Sequence, residues 1–264
     1  MLKDIPPQKQ YNILVIGEEC IDLYRYGQCK RISPEAPVPI FLEEKTERRP
    51  GMAANVSKNI ETLGHKTVLI SNEEQIIKER IVDRQFHQQL LRVDRHDHCE
   101  PLTILFLKES LNSLEIEFDA TIISDYDKGF LSHQVISEMM PLLPKPVFID
   151  SKKRDLSSFE ECIIKINEFE YENANKFPDK YELIITCGKF GAKYKDEMFA
   201  VEKIEIKDIC GAGDSFLSAL AIRYLDSSNI SDAIHFANAA ASVSVTVPGV
   251  YSPTMKEVMN EIYY

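Results

Sequence analysis

Asp208-Ile209-Cys210-Gly211-Ala212-Gly213-Asp214-Ser215-Phe216 runs from an extended segment into a helix. Behind it Phe216, Leu217, Leu220, Ala221, Tyr224 and Leu225 recur at helical spacing as one apolar stripe, so the glycines stand where the helix begins. First-turn amides carry a partial positive charge, and glycine lets an anion approach them closely. Asp214 beside such an anion hole is placed to take a proton from an attacking hydroxyl while the amides stabilise charge on a transferred phosphoryl group. Taken alone, GAGD has a plainer explanation, a turn followed by an acid that complements the helix dipole. It also lacks the third glycine of a dinucleotide fingerprint, and Gly188-Lys189-Phe190-Gly191 is no GxxxxGK[ST] phosphate loop. The meaning of the stretch therefore depends on its surroundings.

Outward from it, short apolar runs alternate with helical patterns. Tyr11 to Ile16, Thr67 to Ser71, Thr103 to Leu107, Ala120 to Ser124, Val147 to Asp150, Ile163 to Ile166 and Leu183 to Thr186 read as strands. Helical spacing marks Ala53 to Leu63, Ser132 to Leu142, Phe169 to Lys176, Asp214 to Leu225, Ser231 to Val245 and a short helix from Thr254. This alternation argues for a mostly parallel sheet covered by helices. Asp22 to Glu44 reads as extended, with Pro34, Pro37 and Pro39 forbidding a helix, and Ile76 to Val82 with Gln88 to Val93 as a projecting two-stranded ribbon.

The chain has 264 residues, long enough for one large α/β domain or a core with a small lid. With 31 Lys and Arg against 42 Asp and Glu, its net charge of −11 argues against nucleic acid and anionic membrane surfaces as partners. The charged, proline-containing N-terminus, MLKDIPPQKQ, is unlike a signal peptide, and no apolar run approaches membrane-spanning length, so a cytoplasmic location is expected. Six scattered cysteines, with no CxxC pair, are expected to be free thiols. His96-Asp97-His98-Cys99 offers four metal ligands in a row. Adjacent residues of an extended segment point to alternate faces, and no second cluster completes a tetrahedral set, so a polar loop is the better reading.

With its neighbours the GAGD segment resembles the signature of the ribokinase/PfkB family of sugar kinases, usually DTxGAGD followed by an apolar helix. The resemblance continues in order along nearly the whole chain: Ile16-Gly17 then Asp22, Arg31-Ile32-Ser33-Pro34-Glu35-Ala36-Pro37-Val38-Pro39, Pro50-Gly51 with Ala53-Ala54-Asn55-Val56, Ser124-Asp125-Tyr126 with Lys128-Gly129, and Phe236-Ala237-Asn238-Ala239-Ala240-Ala241. RISPEAPVP with SDYxKG is similar to the bacterial heptose 7-phosphate kinase domain.

The resemblance implies that Asp214 is the catalytic base and that Gly211, Ala212 and Gly213 form the anion hole. It implies that Asp22, Gly51 and Asn55 meet the sugar, whose hydroxyls suit a carboxylate and an amide. It places Thr186, Gly188 and Gly191 in the nucleotide-binding loop and Asn238 on the helix lining the adenine pocket. Asn167 and Glu170, at NxxE spacing, would serve magnesium through its water shell, although an Asn with a Glu in the first turn is also an ordinary helix cap. Lys152 and Lys153 are read as either phosphate-neutralising groups or a solvated pair.

The implied molecule is an ATP- and Mg2+-dependent sugar kinase with a ribokinase-like three-layer α/β fold, a single domain over residues 1–264. Its small β lid is expected from about 22–45 and 76–108. The expected acceptor is a sugar or sugar phosphate, foremost a heptose 7-phosphate, and a homodimer through the lids would cover Ile40, Leu90 and Leu91. A kinase for another sugar and a non-catalytic sugar-phosphate binding protein are the alternatives. Three departures from the pattern bear on these: several dozen residues fewer between Ile70 and Ile76, suggesting a missing βα unit; Met52 in place of a glycine, expected to put a thioether near the sugar; and Glu18 in place of a shorter acid. Nucleotidyl transfer is not expected, since no cytidylyltransferase domain follows Tyr264.

Overall fold

The computed structural model describes residues 9–86 and 88–263. The first eight residues, part of the stretch read as lacking a leader, lie outside them. In chain order the elements are β1 (Asn12–Gly17), β2 (Glu19–Ile32), β3 (Pro39–Met52), α1 (Ala53–Thr62), β4 (Lys66–Ile70), β5 (Ile76–Asp83), β6 (Gln89–Arg95), α2 (Ile104–Ser113), β7 (Ala120–Asp125), α3 (His133–Met139), β8 (Val147–Ser151), β9 (Cys162–Asn167), α4 (Glu168–Asn173), β10 (Tyr181–Thr186), β11 (Ala192–Tyr194), β12 (Glu197–Phe199), α5 (Ala212–Ser227), α6 (Ile230–Val245) and α7 (Met255–Tyr263). No helix among the described residues is long and apolar enough to cross a membrane.

The main sheet has the order β12-β11-β10-β9-β8-β7-β1-β4. Its strands from β4 to β10 are parallel, and β11 and β12 extend it antiparallel. A parallel sheet is buried on both faces, which explains the unbroken apolar runs. Ile13, Val15, Ile122, Phe148 and Ile163 face one core with α1, α5, α6 and α7, while Leu14, Ile16, Ile123, Ile149 and Ile164 face a second with α2 and α3. These layers bring the carboxyl ends of β7 to β10 to the same side as the N-terminus of α5.

Two expectations are corrected here. Thr103 to Leu107 is not a strand: Thr103 caps α2 by accepting from the Phe106 amide at 3.2 Å. Leu107 is buried, with Ile104 and Leu111 packed beside it at helical spacing, so a short run of β-formers is overridden by a cap and by packing. Nor is the ribbon free. β5 pairs in parallel with β2, giving a four-stranded sheet, β3-β2-β5-β6, built from residues 19–52 and 76–95. The lid segments expected at 22–45 and 76–108 are redrawn accordingly, with α2 packed on the main core instead.

Met52 is 3% exposed and belongs to the apolar cluster of Leu14, Ile16, Cys20, Ile70 and Ile76, so its side chain is core rather than sugar-facing. Its backbone, at φ 58 and ψ −131, lies where glycine is favoured. Met52→Gly should therefore relieve about 1–3 kcal/mol of strain while losing about 2–5 kcal/mol of buried contact. The expected result in chemical denaturation is a net loss smaller than for a typical core Met truncation, with the acceptor range unchanged. A widened range would return the side chain to the site.

β4 is the last strand of the main sheet, and from Ile70 the chain passes in a few residues into β5. Hydrogen exchange should show weaker protection over Thr67 to Ile70 than over Leu183 to Thr186, because β10 is paired on both sides and β4 on one. Equal protection would mean that another subunit covers the edge.

Candidate active site

A cavity of about 870 Å³ opens where the parallel strands end, the usual position for ligands in an open α/β sheet. Tyr126, Lys152, Lys165, Asn167 and Thr186 line one wall, Gly188 to Gly191 a second, and Gly211 to Asp214 the floor. Val201, Ile204, Ile206 and Val245 make an apolar end. No side chain caps α5, whose first residues border the cavity. Gly211 has φ 81, and a Cβ there would come within 2.9 Å of Asn55 Nδ2. At Gly213 a Cβ would stand 3.0 Å from Lys165 Nζ. Both glycines thus keep the backbone close to neighbouring polar groups.

Asp214 is 6% exposed, and both its oxygens are held. Asn55 Nδ2 donates to Oδ2 at 2.7 Å from α1, and the Tyr126 hydroxyl donates to Oδ1 at 3.0 Å. Burial raises the Asp214 carboxyl above its ordinary range, opposed by the Asn55 hydrogen bond; Asp150 raises it further, and Lys165 and Tyr126 lower it. The Tyr126 hydroxyl is itself pushed well up, chiefly by burial and also by Asp214, so it stays a donor. The loop carrying it is fixed by Glu18, a fully buried carboxylate that accepts from the amides of Tyr126 (2.8 Å), Lys128 (3.0 Å) and Phe130 (3.2 Å).

Across the cavity Asp150 pairs with Lys165 at 2.5 Å and Lys152 at 3.0 Å. Burial pushes its carboxyl up, but the two ammonium groups hold it down at about 2. Lys152 also reaches Glu170 at 2.5 Å. Asn167 and Glu170 form a reciprocal capping box at α4, so the helix-cap reading of the pair describes what they do in this structure. The Lys152 ammonium, seated between two carboxylates, also marks the spot as one that accepts a cation. Among the described residues no group of three His, Cys, Asp or Glu side chains could hold a metal directly, and His96 to Cys99 form no such site: Asp97 pairs with Lys128 at 2.5 Å and Cys99 is buried. The six cysteines are free.

Of the residues singled out in the sequence, Thr186, Gly188, Gly191, Asn167, Asn238 and Gly211 to Asp214 border the cavity, and Asn55 touches Asp214. Asn238 donates to the Phe199 carbonyl at 2.8 Å, tying α6 to β12. Asp22 and Gly51 stand together in the smaller sheet, where a side chain on Gly51 would strike the Asp22 carboxylate, itself ion-paired with Arg80. The sequence reading gave no role to Tyr126, Asp150, Lys165 or Arg80. Lys165 had a signal, a lone charge within the apolar run Ile163 to Ile166, because such a residue is rarely buried without a task.

Residues 160–257 match the pfkB family carbohydrate kinase. Bifunctional protein HldE of a Nitratiruptor species is 31% identical over 297 aligned positions, taking in 93% of this chain and 64% of that protein. HldE of Photobacterium profundum is also 31% identical, over 98% of this chain and 65% of the relative. The chain thus spans a little under two thirds of the length of these curated relatives. Among solved structures, ribokinase from Thermotoga maritima superposes with a TM-score of 0.70 at 18% identity, covering 96% of this chain and 100% of that one. Phosphofructokinase-2 from Escherichia coli does so with a TM-score of 0.77 at 16% identity, covering 97% and 99%. The fold is thus ribokinase-like, and over residues 160–257 the chain is similar to the pfkB family of carbohydrate kinases.

Proposed function

We propose that the chain transfers the γ-phosphoryl group of ATP to a hydroxyl of a sugar or sugar phosphate, foremost the anomeric hydroxyl of a heptose 7-phosphate. The observation that carries this reading is Asp214, a buried carboxylate held by Asn55 and Tyr126 at the uncapped N-terminus of α5. Its raised proton affinity suits a general base. In the proposed step the acceptor hydroxyl gives its proton to Asp214 as its oxygen bonds to the γ-phosphorus, and ADP leaves with the bridging oxygen. The first-turn amides of α5 and Lys165 face the charge on the transferred group.

The nucleotide is assigned to the cavity between Thr186, Gly188, Gly191 and Asn238, with its base toward the apolar end. Magnesium, which neutralises phosphate charge and keeps several waters, would be held through them by Asn167 and Glu170. The heptose acceptor rests on the RISPEAPVP and SDYxKG stretches and on the resemblance they carry. Asp22, Gly51 and Asn55 are assigned to the sugar, and the smaller sheet to a lid that excludes water. Exposed Ile32, Leu42, Leu90 and Leu91 on that sheet support a homodimer through it.

Two substitutions test the base. Asp214→Asn keeps shape and should lower kcat on the order of 10²- to 10⁴-fold in an ADP-release assay on heptose 7-phosphate, with ATP affinity little changed. Near-normal turnover would end the assignment. Tyr126→Phe removes a hydrogen bond that lowers the Asp214 carboxyl. The acid limb of kcat, already expected above the ordinary carboxylate range, should then move to higher pH. A rate loss with an unmoved limb would reduce Tyr126 to packing.

A further inference from the structure

Two adjacent rows cross the face of the smaller sheet that turns toward the site. One runs Arg49, Asp22, Lys78, Asp94 and the next Glu47, Tyr24, Arg80, Arg92. Alternate residues of a strand share a face, so the two rows stand side by side with four cations against three carboxylates. An arginine takes each carboxylate. Arg49 pairs with Glu47 at 2.8 Å, Arg92 with Asp94 at 2.7 Å, and Arg80 with Asp22. Tyr24 lies between Arg49 and Arg80, whose guanidinium carbons are 5.2 and 5.3 Å from its ring centre, so both arginines are fixed from a second side.

Lys78 is the cation left over. It is 7% exposed, yet among the described residues its ammonium has no hydrogen-bond or ion-pair partner. Its row neighbours Asp22 and Asp94 are both committed to arginines. What it has is the face of Tyr126, with Nζ 4.8 Å from the ring centre, and one ring answers only a part of a cation's charge. Lys152 lies 5.4 Å from the same ring, but its charge is answered by Asp150 and Glu170. The Tyr126 hydroxyl is on Asp214, so the unanswered charge and the candidate base stand one tyrosine ring apart, the scale of a single sugar.

We propose that Lys78 selects an acceptor that already carries a phosphate, pairing with that group while a hydroxyl elsewhere on the same sugar faces Asp214. This rests on the sugar kinase reading and extends it to the residue that reads the acceptor's charge. A neutral sugar leaves the ammonium without an anionic partner, and a site built for a charged partner discriminates strongly against an analogue lacking it. Arg80 and Arg92 cannot take the role without abandoning Asp22 and Asp94.

The test compares heptose 7-phosphate with the unphosphorylated heptose. Lys78→Met keeps the apolar stem and removes the charge, Lys78→Gln is a second neutral variant should the first fail to fold, and Lys78→Arg restores a cation. The readouts are the ratio of kcat/KM for the two sugars and, on an Asp214→Asn background that needs no turnover, their calorimetric affinities. Wild type should prefer the phosphorylated sugar, the neutral variants should lose that preference on the order of 10²- to 10³-fold, and Lys78→Arg should recover most of it. An unchanged ratio in the neutral variants, or equal binding of both sugars by the chain with Lys78 intact, overturns the proposal, as does failure to bind either. Turnover of sugars without a charge preference would sink it and leave the kinase standing. A calorimetric preference that Lys78→Met abolishes, in a chain that turns over no sugar, would sink the kinase and leave the anion site.

Discussion

Keeping one carboxylate buried without an ion pair is the constraint from which the rest of the candidate site follows. Asp214 is removed from water, and an unaccompanied carboxylate there would hold its proton too tightly to act as a base. Two neutral donors meet it, so it is steadied without an ion pair that would quench its basicity. Each donor has a support. Asn59 Nδ2 donates to the Asn55 backbone carbonyl at 2.8 Å and to its side-chain oxygen at 3.2 Å, and the Ser215 hydroxyl donates to Asn59 at 2.8 Å. Tyr126 rides on a loop whose amides converge on Glu18. A carboxylate that accepts three amides is worth burying, because its own desolvation is offset locally.

The opposite wall solves the reverse problem, holding cations in an acidic protein by pairing them with carboxylates other than Asp214. Lys152 and Lys165 share Asp150, and Lys152 also holds Glu170, so the ammonium groups are fixed near the cavity but partly neutralised. Buried pairs of this kind add little net stability, since desolvation cancels much of the attraction. Their value is placement. A polyphosphate of the kind proposed for this cavity would find positive charge at fixed positions in a low-dielectric recess, where each contact counts for more than in water.

The sequence showed the layers of the fold well because apolar strands and amphipathic helices differ in period. The same rule misread Thr103 to Leu107, where five β-prone residues conceal a capped helix, and it did not find β11 and β12, too short to show any period. The floor of the site was legible because GAGD sits at a helix start, which local sequence determines. Its walls were not. Lys165 meets Asp150 across the neighbouring parallel strands β9 and β8, Tyr126 reaches Asp214 from the loop after β7 to the first turn of α5, and no spacing rule connects either pair. Lys78 was hidden for another reason, since its meaning lies in what its neighbours have already paired with, which only the register of three strands reveals.

That register depends on how the smaller sheet is attached. Three of its four junctions with the core meet at one place, and the fourth, residues 96–103 between β6 and α2, is tied to the 128–130 loop by the Cys99 and Leu102 amides. Glu18 and Glu19 lead into β2, and the Ala53 amide at the exit of β3 donates to the Glu18 carbonyl at 2.9 Å. Asn72, 6% exposed in the short passage from β4 to β5, accepts from the Glu19 amide at 2.8 Å and donates to the Glu74 carbonyl at 2.6 Å. Glu18 meanwhile grips the loop of Tyr126. A movement of the smaller sheet therefore has to be absorbed at residues 17–19, 52–53, 71–75 and 96–103, and the strained backbone of Met52 falls within that set. The aligned positions outnumber the residues this chain contributes, so its relatives carry insertions that it lacks. With so short a passage after Ile70, β4 and β5 are tied more closely than a longer segment would tie them. The coupling between the sheet that carries Lys78 and the loop that steadies Asp214 runs through Glu18 and its neighbours, which makes that acid the shared anchor of both halves of the site.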